Sequence, residues 1–451
     1  MSSPDTIAAL ASAPGRGAIG IIRISGAEVP RIAVAILGSL PPPRSAELKH
    51  FVDAGGTILD EGLALYFDAP HSFTGEHVLE LQGHGGPVVL DLLLQRALSL
   101  GCRAARPGEF SERAFLNGKL DLARAEAVAD LIAAGSSAAA RAAVRSLQGE
   151  FSARILELQG HLTELRMLVE AAIDFPDEEI DFASNATLRD KLAEIFAGFE
   201  SISAAARQGS LLRDGLNVVI AGRPNAGKSS LLNRLAGDEV AIVSDTPGTT
   251  RDVLRQQLEL DGLPLHLIDT AGLRTSNDAV EAEGVRRAHG EIAKADVLLY
   301  VVDAAQAAPA ERQLPRDLPA IAAEATALLI FNKIDLRAER PRIDRTSSPI
   351  AVHLSAKSGA GLDLLRTELK RQAGYQPTEQ GALGARRRHL HALARAREHV
   401  QQATDVFKNA GGFELFAEDL RLAQRALGEI TGEFSNEDLL AEIFSSFCIG
   451  K

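Results

Sequence analysis

The stretch LNVVIAGRPNAGKSSLLNRLAG (216–237) decides the fold of the middle of the chain. It begins as an apolar, strand-like run and ends in a helical pattern, and GRPNAGKSS (222–230) joins the two with the spacing G-x-x-x-x-G-K-[ST]. A glycine-rich loop in this context turns its backbone N–H groups toward phosphates. We therefore expect Lys228 to reach the β- and γ-phosphates of a nucleotide and Ser229 to hold Mg²⁺. An ordinary glycine-rich turn is the alternative, and the flanking strand and helix count against it.

Four further strand-like runs follow this loop, with helical stretches between them: LPLHLIDTAG (263–272), ADVLLYVVD (295–303), TALLIFNKID (326–335) and IAVHLSAK (350–357). Each run ends in polar or glycine-rich residues. This alternation is typical of a doubly wound α/β domain, in which the carboxyl ends of the strands carry the ligand site. A helix over 361–374 closes the domain.

Three short motifs at these strand ends predict GTP rather than ATP. In DTAG (269–272), Asp269 can approach Mg²⁺ through water and the Gly272 N–H can contact the γ-phosphate. In NKID, Asp335 can accept hydrogen bonds from guanine N1–H and the 2-amino group, which adenine does not offer. SAK (355–357) can cap the base. The expected GTP-binding residues are Asn225, Ala226, Gly227, Lys228, Ser229, Ser230, Ser244, Asp245, Thr246, Pro247, Gly248, Thr249, Thr250, Asp269, Thr270, Ala271, Gly272, Asn332, Lys333, Asp335, Ser355, Ala356 and Lys357.

The segment TPGTTRD (246–252) lies where the first switch loop of a GTPase is expected, and Thr250 is the candidate second hydroxyl ligand of Mg²⁺. Two positions depart from the Ras-like pattern. Leu273 follows DTAG where a glutamine would orient the attacking water, so another group must do this or hydrolysis must be slow. Asn225 lies in the phosphate-binding loop, where its amide oxygen can bind a cation.

The bulk composition describes an ordinary globular protein of two to four domains, with 451 residues, 46% hydrophobic and 24% charged. The net charge of −12 argues against a nucleic-acid binder that uses its whole surface, although local basic patches stay open. The start, MSSPDTIAAL, lacks a signal-peptide pattern, and no apolar run has the length of a membrane helix. Two cysteines cannot build a disulfide framework, so we expect a cytoplasmic protein without membrane association.

The flanking regions differ from the middle. Residues 1–120 are predicted to contain both strands and a helix. The strands are expected over 6–13, 18–25, 63–67 and 77–83 and the helix over 87–101. Helical patterns fill 120–212 and 385–451, on either side of the α/β part. We therefore predict a multidomain α+β and α/β protein in which a Ras-like G domain interrupts a discontinuous helical domain. The expected domains are 1–119, then 120–212 with 377–451, and the inserted 213–376.

Several long segments resemble the MnmE (TrmE) family of tRNA-modification GTPases. They are APGRGAIGIIRISG, GEHVLELQGHGGP, RPGEFSERAFLNGKLDLARAEAVADLI, the GTPase motifs, LRLAQRALGEITGEF and the terminal FCIGK. The resemblance covers nearly the whole chain, so the flanking domains match as well as the G domain.

The resemblance implies a K⁺-dependent GTPase that dimerises through its G domains, with potassium in place of an arginine finger. The implied K⁺ ligands are Asn225, Ser244, Thr246 and Thr249. It also implies that Glu281 orients the attacking water as a catalytic residue. From the residues alone, Glu281 is more often an exposed acid at the start of a helix.

The family further implies chemistry at carbon 5 of the wobble uridine (U34) of certain tRNAs. The implied product carries a carboxymethylaminomethyl or aminomethyl group, and the implied partners are a second copy of the chain and the FAD protein MnmG (GidA), in a heterotetramer. A tetrahydrofolate derivative, in its 5-formyl or 5,10-methylene form, supplies the carbon. Its contacts carry over to the N-terminal domain and the last residue: Arg23, Glu80, Lys119 and Lys451. Without the family, such residues are more often surface charges or strand-end salt bridges.

The terminal FCIGK (447–451) has a cysteine fourth from the end, but Gly450 and Lys451 do not fit a prenylation box. No neighbouring ligand supports a metal site. A buried thiol and an active-site thiol remain for Cys448, and the residues alone favour the buried one. The resemblance places the C-terminus near the folate pocket and makes Cys448 a catalytic candidate.

Four other features of the sequence have less specific interpretations. GRGAIG (15–20) matches a dinucleotide fingerprint, but the strand-like IIRIS that follows favours a hairpin or loop. His84 stays unassigned, and Cys102 is expected to be a buried thiol. The basic stretch ARRRHLHALARAREH (385–399) fits a solvated helix face and a tRNA phosphate contact equally well.

Two other functions remain open at this point. A regulatory P-loop GTPase in ribosome assembly would explain 216–374 but not the flanking matches. A folate-dependent transferase for a protein or a small molecule, with the G domain as a timer, would bind folate without tRNA.

Overall fold

The computed structural model describes residues 5–174, 186–237, 255–269, 290, 292–306, 313–315, 325–376, 381–410, 412–434 and 437–450. The chain divides into two compact units. Unit 1 comprises Met1–Ala129, Ser146–Phe196 and Ala392–Lys451, and unit 2 comprises Asp130–Arg145 and Ala197–His391. The domain bounds expected from the sequence stay a prediction.

Unit 1 contains a six-stranded sheet among its described residues, with the strand order β3-β4-β5-β2-β1-β6. All neighbours are antiparallel except β1 and β6, which are parallel. The strands are β1 (Ile7–Leu10), β2 (Ile19–Ser25), β3 (Ala46–Val52), β4 (Ile58–Phe67), β5 (Val78–His84) and β6 (Arg103–Ala104).

One face of this sheet packs against α1 (Val29–Leu37) and α2 (Pro87–Ser99). Because side chains alternate along a strand, Ile22 and Ile24 of β2 point into this core, and Arg23 points to the opposite face. Cys102 is buried in the same core, as expected. The pairing of β1 with β2 confirms that the chain around GRGAIG forms a hairpin, not a helix start.

A buried carboxylate ties the start of α3 (Glu109–Leu116) to β6. The Glu109 side chain is 3% exposed and accepts hydrogen bonds from the Arg103 guanidinium at 2.5 and 3.0 Å. The Arg106 amide adds a third bond at 2.8 Å. Burial alone would raise the pKa of this carboxyl, but the bonds from Arg103 and Arg106 outweigh it and lower the pKa to about 2.

We expect Glu109→Gln to lower the free energy of unfolding by about 2 kcal/mol at neutral pH. The buried amide loses charge-assisted bonds from Arg103 and Arg113 and turns an N–H₂ donor toward them, while both arginines keep Asp5 as a partner. A lowered pKa stabilises the fold at pH values above about 4.5, and this contribution is lost as the pH falls toward about 2. Urea unfolding between neutral and acid pH measures both effects. The control is Glu418→Gln, because Glu418 pairs with Arg421 at the surface, where a salt bridge adds little to stability. Equal effects of the two substitutions would contradict the buried pairing.

Long helices make up most of the remaining described residues. They are α4 (Leu122–Ile132), α5 (Ser137–Leu147), α6 (Glu150–Asp174), α7 (Ala186–Asp214), α10 (Arg387–Ala410), α11 (Phe413–Thr431) and α12 (Glu437–Ser445). In unit 1, α6 packs along α11, and Gln424 bonds both Arg166 and Thr163 there. No helix in the described ranges is long and apolar enough to cross a membrane.

Unit 2 contains a seven-stranded sheet among its described residues, with the order β12-β13-β11-β10-β7-β9-β8. Its five inner strands are parallel, and the two edge strands are antiparallel to their neighbours. The strands are β7 (Leu216–Gly222), β8 (Arg255–Leu260), β9 (Leu263–Asp269), β10 (Val297–Asp303), β11 (Thr326–Asn332), β12 (Arg342–Asp344) and β13 (Ile350–His353), with helices α8 (Lys228–Gly237) and α9 (Leu362–Ala373).

The strand order reverses at β7, which has β9 on one side and β10 on the other. A crevice for a ligand forms at such a switch point, outside the carboxyl ends of the strands. This arrangement confirms the predicted doubly wound α/β fold. The two antiparallel edge strands, β8 and β12, were not predicted.

Candidate functional site

The phosphate-binding loop lies at the switch point, between the end of β7 and the start of α8. Three of its residues have positive φ: Gly222 at 143°, Asn225 at 64° and Gly227 at 95°. The Lys228 ammonium group donates to the carbonyl oxygens of Gly222 and Arg223, both at 2.9 Å. The loop therefore curls around a cation that is 8% exposed, which is an arrangement suited to a phosphate.

Gly227 cannot carry a side chain in this loop. A Cβ atom there would lie 2.2 Å from the Asn332 side-chain nitrogen, in a backbone conformation that already disfavours other residues. The end of β11 is thus in close contact with the phosphate-binding loop.

Asn332 links three parts of the site. It is 2% exposed, and its Nδ2 donates to the Ala226 carbonyl at 2.9 Å. Its Oδ1 accepts from the backbone N–H groups of Lys333 and Ala356 at 2.8 and 2.9 Å. These bonds fix the loops after β11 and β13 relative to the phosphate-binding loop.

Lys333 adds a second link. Its ammonium group donates to the Asn225 carbonyl at 2.7 Å and pairs with Asp303, at the end of β10, also at 2.7 Å. The sequence did not single out Asp303 or this pairing. The only signal for it was that Asp303 ends a strand on the ligand side of the sheet.

Asp335 and Ser355 lie side by side. The buried Ser355 hydroxyl donates to Asp335 Oδ1 at 2.6 Å, while Asp335 itself is exposed. One hydrogen bond orients the carboxylate, and the remaining lone pairs can accept the two donors of a guanine edge. Lys357 is exposed nearby in sequence, on the loop after β13.

Several expected residues lie outside the described part of the chain: Ser244, Asp245, Thr246, Pro247, Gly248, Thr249, Thr250, Thr270, Ala271, Gly272, Glu281 and Lys451. The backbone of Asp269 ends β9, beside Ile220 of β7. Ser229 and Ser230 are exposed in the first turn of α8, and Asn225 is exposed in the loop. Among the described residues there is no cluster of three or more His, Cys, Asp and Glu side chains that could hold a metal.

Arg23 and Glu80 face each other on β2 and β5, in register across the antiparallel pair. The Arg23 guanidinium donates to Glu80 Oε1 at 2.8 and 2.9 Å. Its carbon lies 5.9 Å from the centre of the Phe73 ring and 5.8 Å from that of Phe110. The sequence did not single out these two rings. The pair is therefore a strand-to-strand salt bridge on the sheet face opposite the helices, and it is still 24% and 14% exposed.

The C-terminal segment lies against this pair. Arg23 Nη1 reaches the Gly450 carbonyl oxygen at 3.4 Å, and the Gly108 N–H donates to the Cys448 carbonyl at 3.3 Å. Gly450 has φ 93°, and a Cβ atom there would lie 2.2 Å from the Leu10 carbonyl oxygen. The segment is thus fitted closely to the end of β1, beside the Arg23–Glu80 pair.

Cys448 is exposed, so the residues alone were wrong to favour a buried thiol. The physical reason is the docking of the segment, in which the backbone of 448–450 contacts the domain and the thiol does not enter the core. Lys119 is also exposed, and its ammonium group donates to the Pro70 carbonyl at 3.0 Å. Pro70 and Phe73 belong to one loop between β4 and β5, so this loop contacts both Lys119 and Arg23.

We expect iodoacetamide to label Cys448 and to spare Cys102 in the folded protein. Burial raises the pKa of the Cys102 thiol to about 11, and alkylation requires the thiolate. Mass analysis should find one label on the native chain and two on the denatured chain, since the sequence holds two cysteines. Rapid labelling of native Cys102 would contradict its position in the core.

His84 and the basic stretch 385–399 both contact acidic side chains. His84 Nδ1 lies 2.7 Å from Asp60 Oδ1 with its ring exposed, and it has no assigned role. Parts of the basic stretch are paired: Arg386 with Asp130 at 2.8 Å, and Arg395 with Glu429. These pairs favour a structural role for part of that stretch.

Two family models match the chain. Residues 6–119 match the model described as GTP-binding protein TrmE N-terminus, and residues 122–448 match the MnmE helical domain. One solved structure, the G domain of the T. maritima FeoB iron transporter, is 26% identical and covers 35% of this chain and 98% of its own, with a TM-score of 0.26. At that score the likeness adds nothing to the argument.

Curated relatives match along the whole chain, and each is named tRNA modification GTPase MnmE. The protein of Methylococcus capsulatus is 57% identical over 454 residues, which is 100% of both chains. That of Thiobacillus denitrificans is 58% identical, over 99% of this chain and 98% of its own. That of Nitrosomonas europaea is 55% identical over 100% of both. The chain therefore belongs to the MnmE family of tRNA modification GTPases.

Proposed function

We propose that this protein is a GTP hydrolase that acts in tRNA modification. One observation supports the proposal: hydrogen bonds of Asn332 join the loop 222–230 to the segment that holds Asp335 and Ser355, the residues we propose for binding guanine. Membership of the family over the full length supports the link to tRNA.

In the nucleotide site, Lys228 places a positive charge where the β- and γ-phosphates bind, and Asp335 selects guanine. The exposed Ser229 hydroxyl, at the first turn of α8, fits a Mg²⁺ ligand, and Thr250 and Asp269 are proposed to complete the site. When Mg²⁺ is bound, it neutralises part of the negative charge of the phosphates. Glu281 is proposed to orient the attacking water.

We further propose that K⁺ activates hydrolysis, with Asn225, Ser244, Thr246 and Thr249 as its ligands. The Asn225 carbonyl is already bonded to Lys333, so the exposed side-chain amide is the oxygen that this residue can offer. The G domains would close on one another as a dimer around this cation.

GTP turnover should be at least about tenfold faster in K⁺ than in Na⁺, because a charge in the arginine-finger position contributes about 10³–10⁵ in rate. Asn225→Gly is the matched variant, since glycine accepts the φ of 64° and removes only the amide. It should lose the preference for K⁺ and keep its affinity for GDP. Equal turnover of the wild type in both salts would refute the cation site.

For the second half of the proposed reaction, a tetrahydrofolate derivative binds at Arg23, Glu80, Lys119 and Lys451, with Cys448 close by. The Arg23 cation and the exposed Lys119 suit a glutamyl carboxylate, and Glu80 suits donors of the pterin ring. The chain would act as a homodimer with the FAD protein MnmG on carbon 5 of the wobble uridine. Residues 1–119 form the proposed folate domain, 120–212 with 377–451 the helical domain, and 213–376 the G domain.

The nucleotide site alone would also serve a regulatory GTPase of ribosome assembly. The match of the flanking regions to the family favours tRNA modification, because the nucleotide site of a regulatory GTPase does not account for them. Co-sedimentation with ribosomal subunits that depends on GTP, with normal tRNA nucleosides, would favour the regulatory role. Binding of folate without tRNA or MnmG would favour a transferase for another substrate. Loss of the C5 modification from tRNA in cells without the gene is the result that our proposal requires.

A further inference from the structure

A cavity of about 730 Å³ opens in unit 2 at the edge of the sheet where the parallel strands begin. Leu216, Val297 and Thr326, at the starts of β7, β10 and β11, line it. The nucleotide site lies at the other ends of these strands, and a seven-residue strand is about 20 Å long. The cavity is therefore a separate site.

Basic side chains from three elements line this cavity. Arg207 comes from α7, Lys294 from the segment before β10, and Arg387 and His391 from the first turns of α10. All four residues are exposed. Within the described ranges, Arg207, Lys294 and His391 have no carboxylate partner, and Arg387 comes only within 3.8 Å of Asp214. Three of these side chains are cations, Arg207, Lys294 and Arg387, and they outnumber the two acids that also line the cavity.

The two acids in the cavity wall are engaged by other groups. Asp214 accepts from Arg213 at 2.6 Å and from Ser210 at 3.2 Å. Asp296 Oδ2 accepts from the backbone and the side-chain nitrogen of Asn217, at 2.8 and 3.0 Å. The chain has a net charge of −12, so a cavity in which cations outnumber acids is a local exception. Such a cavity attracts anions.

Basic residues of the stretch 385–399 include two groups, those paired with carboxylates and those that line the cavity. Arg386 and Arg395 pair with carboxylates and so stabilise the fold. Arg387 and His391 instead face the cavity. The N-terminal end of α10, where they lie, adds the partial positive charge of the helix dipole.

We propose that this cavity binds the backbone phosphates of RNA, and specifically of the tRNA substrate. The cations lie on three separate elements around a space larger than one phosphate, which suits successive phosphates of a strand. Side chains of this kind position an RNA without reading its bases. The inference rests on the proposed function for one point, namely that the bound RNA is tRNA.

The test compares two double variants of the full-length protein. Arg207→Gln with Lys294→Gln removes two of the cavity cations. Arg189→Gln with Arg340→Gln is the matched control, since both arginines are exposed and neither lines the cavity. Affinity for fluorescently labelled total tRNA is measured between about 0.05 and 0.3 M salt, and thermal unfolding checks that each variant folds.

The cavity variant should bind tRNA at least about tenfold more weakly near 0.1 M salt, and its slope of log affinity against log salt should be shallower by about two, because two phosphate contacts are lost. The control should match the wild type. Unchanged affinity and slope in the cavity variant would overturn the inference.

Two further results would also overturn it. If inorganic phosphate and tRNA lose affinity equally, the cavity holds a free anion. If polyglutamate binds the wild type as well as tRNA does and is lost in the same variant, the partner is an acidic protein. If the wild type does not bind tRNA while the wobble uridines still depend on the gene, this inference fails and the proposed function stands.

Discussion

Asp335→Asn should convert the protein from a GTP-binding to a xanthosine-triphosphate-binding enzyme. In the wild type, the Ser355 hydroxyl donates to the carboxylate, whose remaining lone pairs are proposed to accept the two donors of a guanine edge. An amide puts an N–H₂ group against the 2-amino group of guanine, so one hydrogen bond is lost and a repulsion replaces it. A charge-assisted bond contributes about 1.5–3 kcal/mol, so the loss of one should lower GTP affinity by about 10- to 100-fold.

Xanthine carries an oxygen where guanine has its amino group, and that oxygen can accept from the new amide. Affinity for xanthosine triphosphate should therefore rise in the variant. Isothermal titration calorimetry with GTP and with xanthosine triphosphate measures this change of specificity. Asp363→Asn is the control, because Asp363 is exposed at the start of α9 and should leave both affinities unchanged. GTP affinity within twofold of the wild type in Asp335→Asn would place the base elsewhere.

Gly450→Ala should displace the C-terminal segment and weaken folate binding by at least about tenfold. An L-residue at φ 93° costs about 1–2 kcal/mol, and the new Cβ atom would also overlap the Leu10 carbonyl oxygen. The segment relieves the overlap by moving away from Leu10 and Ala11 at the end of β1, and this movement should shift its neighbouring residues Cys448 and Lys451 as well. Titration with 5-formyltetrahydrofolate measures the loss.

Hydrogen exchange gives a second measure that does not depend on folate. The Gly108 amide donates to the Cys448 carbonyl, so it should exchange faster once the segment has moved. Gly38→Ala is the control: Gly38 has φ 77° with open space around it, so it tests the backbone strain without the overlap. If Gly450→Ala and Gly38→Ala behave alike in both measurements, the close fit of the segment has no role in the site.

Much of the nucleotide site could be predicted from the sequence because its signals are local. The loop from Gly222 to Lys228 is fixed by glycine positions and by the strand and helix that flank it, and each specificity motif ends a strand. The cross-links could not be predicted, since Asn332 and Ala226 are 106 residues apart and meet only through the order of the strands.

The edges of the sheets were harder to predict than their centres. β3 has the sequence AELKHFV, and only Phe51 of it is fully buried, so its apolar pattern is weak. β12 has only three residues. A central strand such as β10 is buried on both faces and reads as an apolar run.

The proposed folate site rested on resemblance alone. The sequence could not show that Arg23 pairs with Glu80, since this pairing depends on the register of β2 and β5. The exposure of Cys448 depends in the same way on long-range docking. A lone cysteine on an apolar background favours a buried position, and only the contacts of Gly450 and Gly108 reverse that expectation.

The most direct test of the central claim is mass analysis of tRNA nucleosides from a strain without the gene, complemented in turn with the wild type and with Lys228→Ala. The variant removes the charge that the phosphate-binding loop holds. We expect the C5 modification of the wobble uridine to be absent in the strain, restored by the wild type and not restored by Lys228→Ala. A full set of C5-modified uridines in the uncomplemented strain, or in the strain with the variant, would contradict a GTP-dependent tRNA modification enzyme.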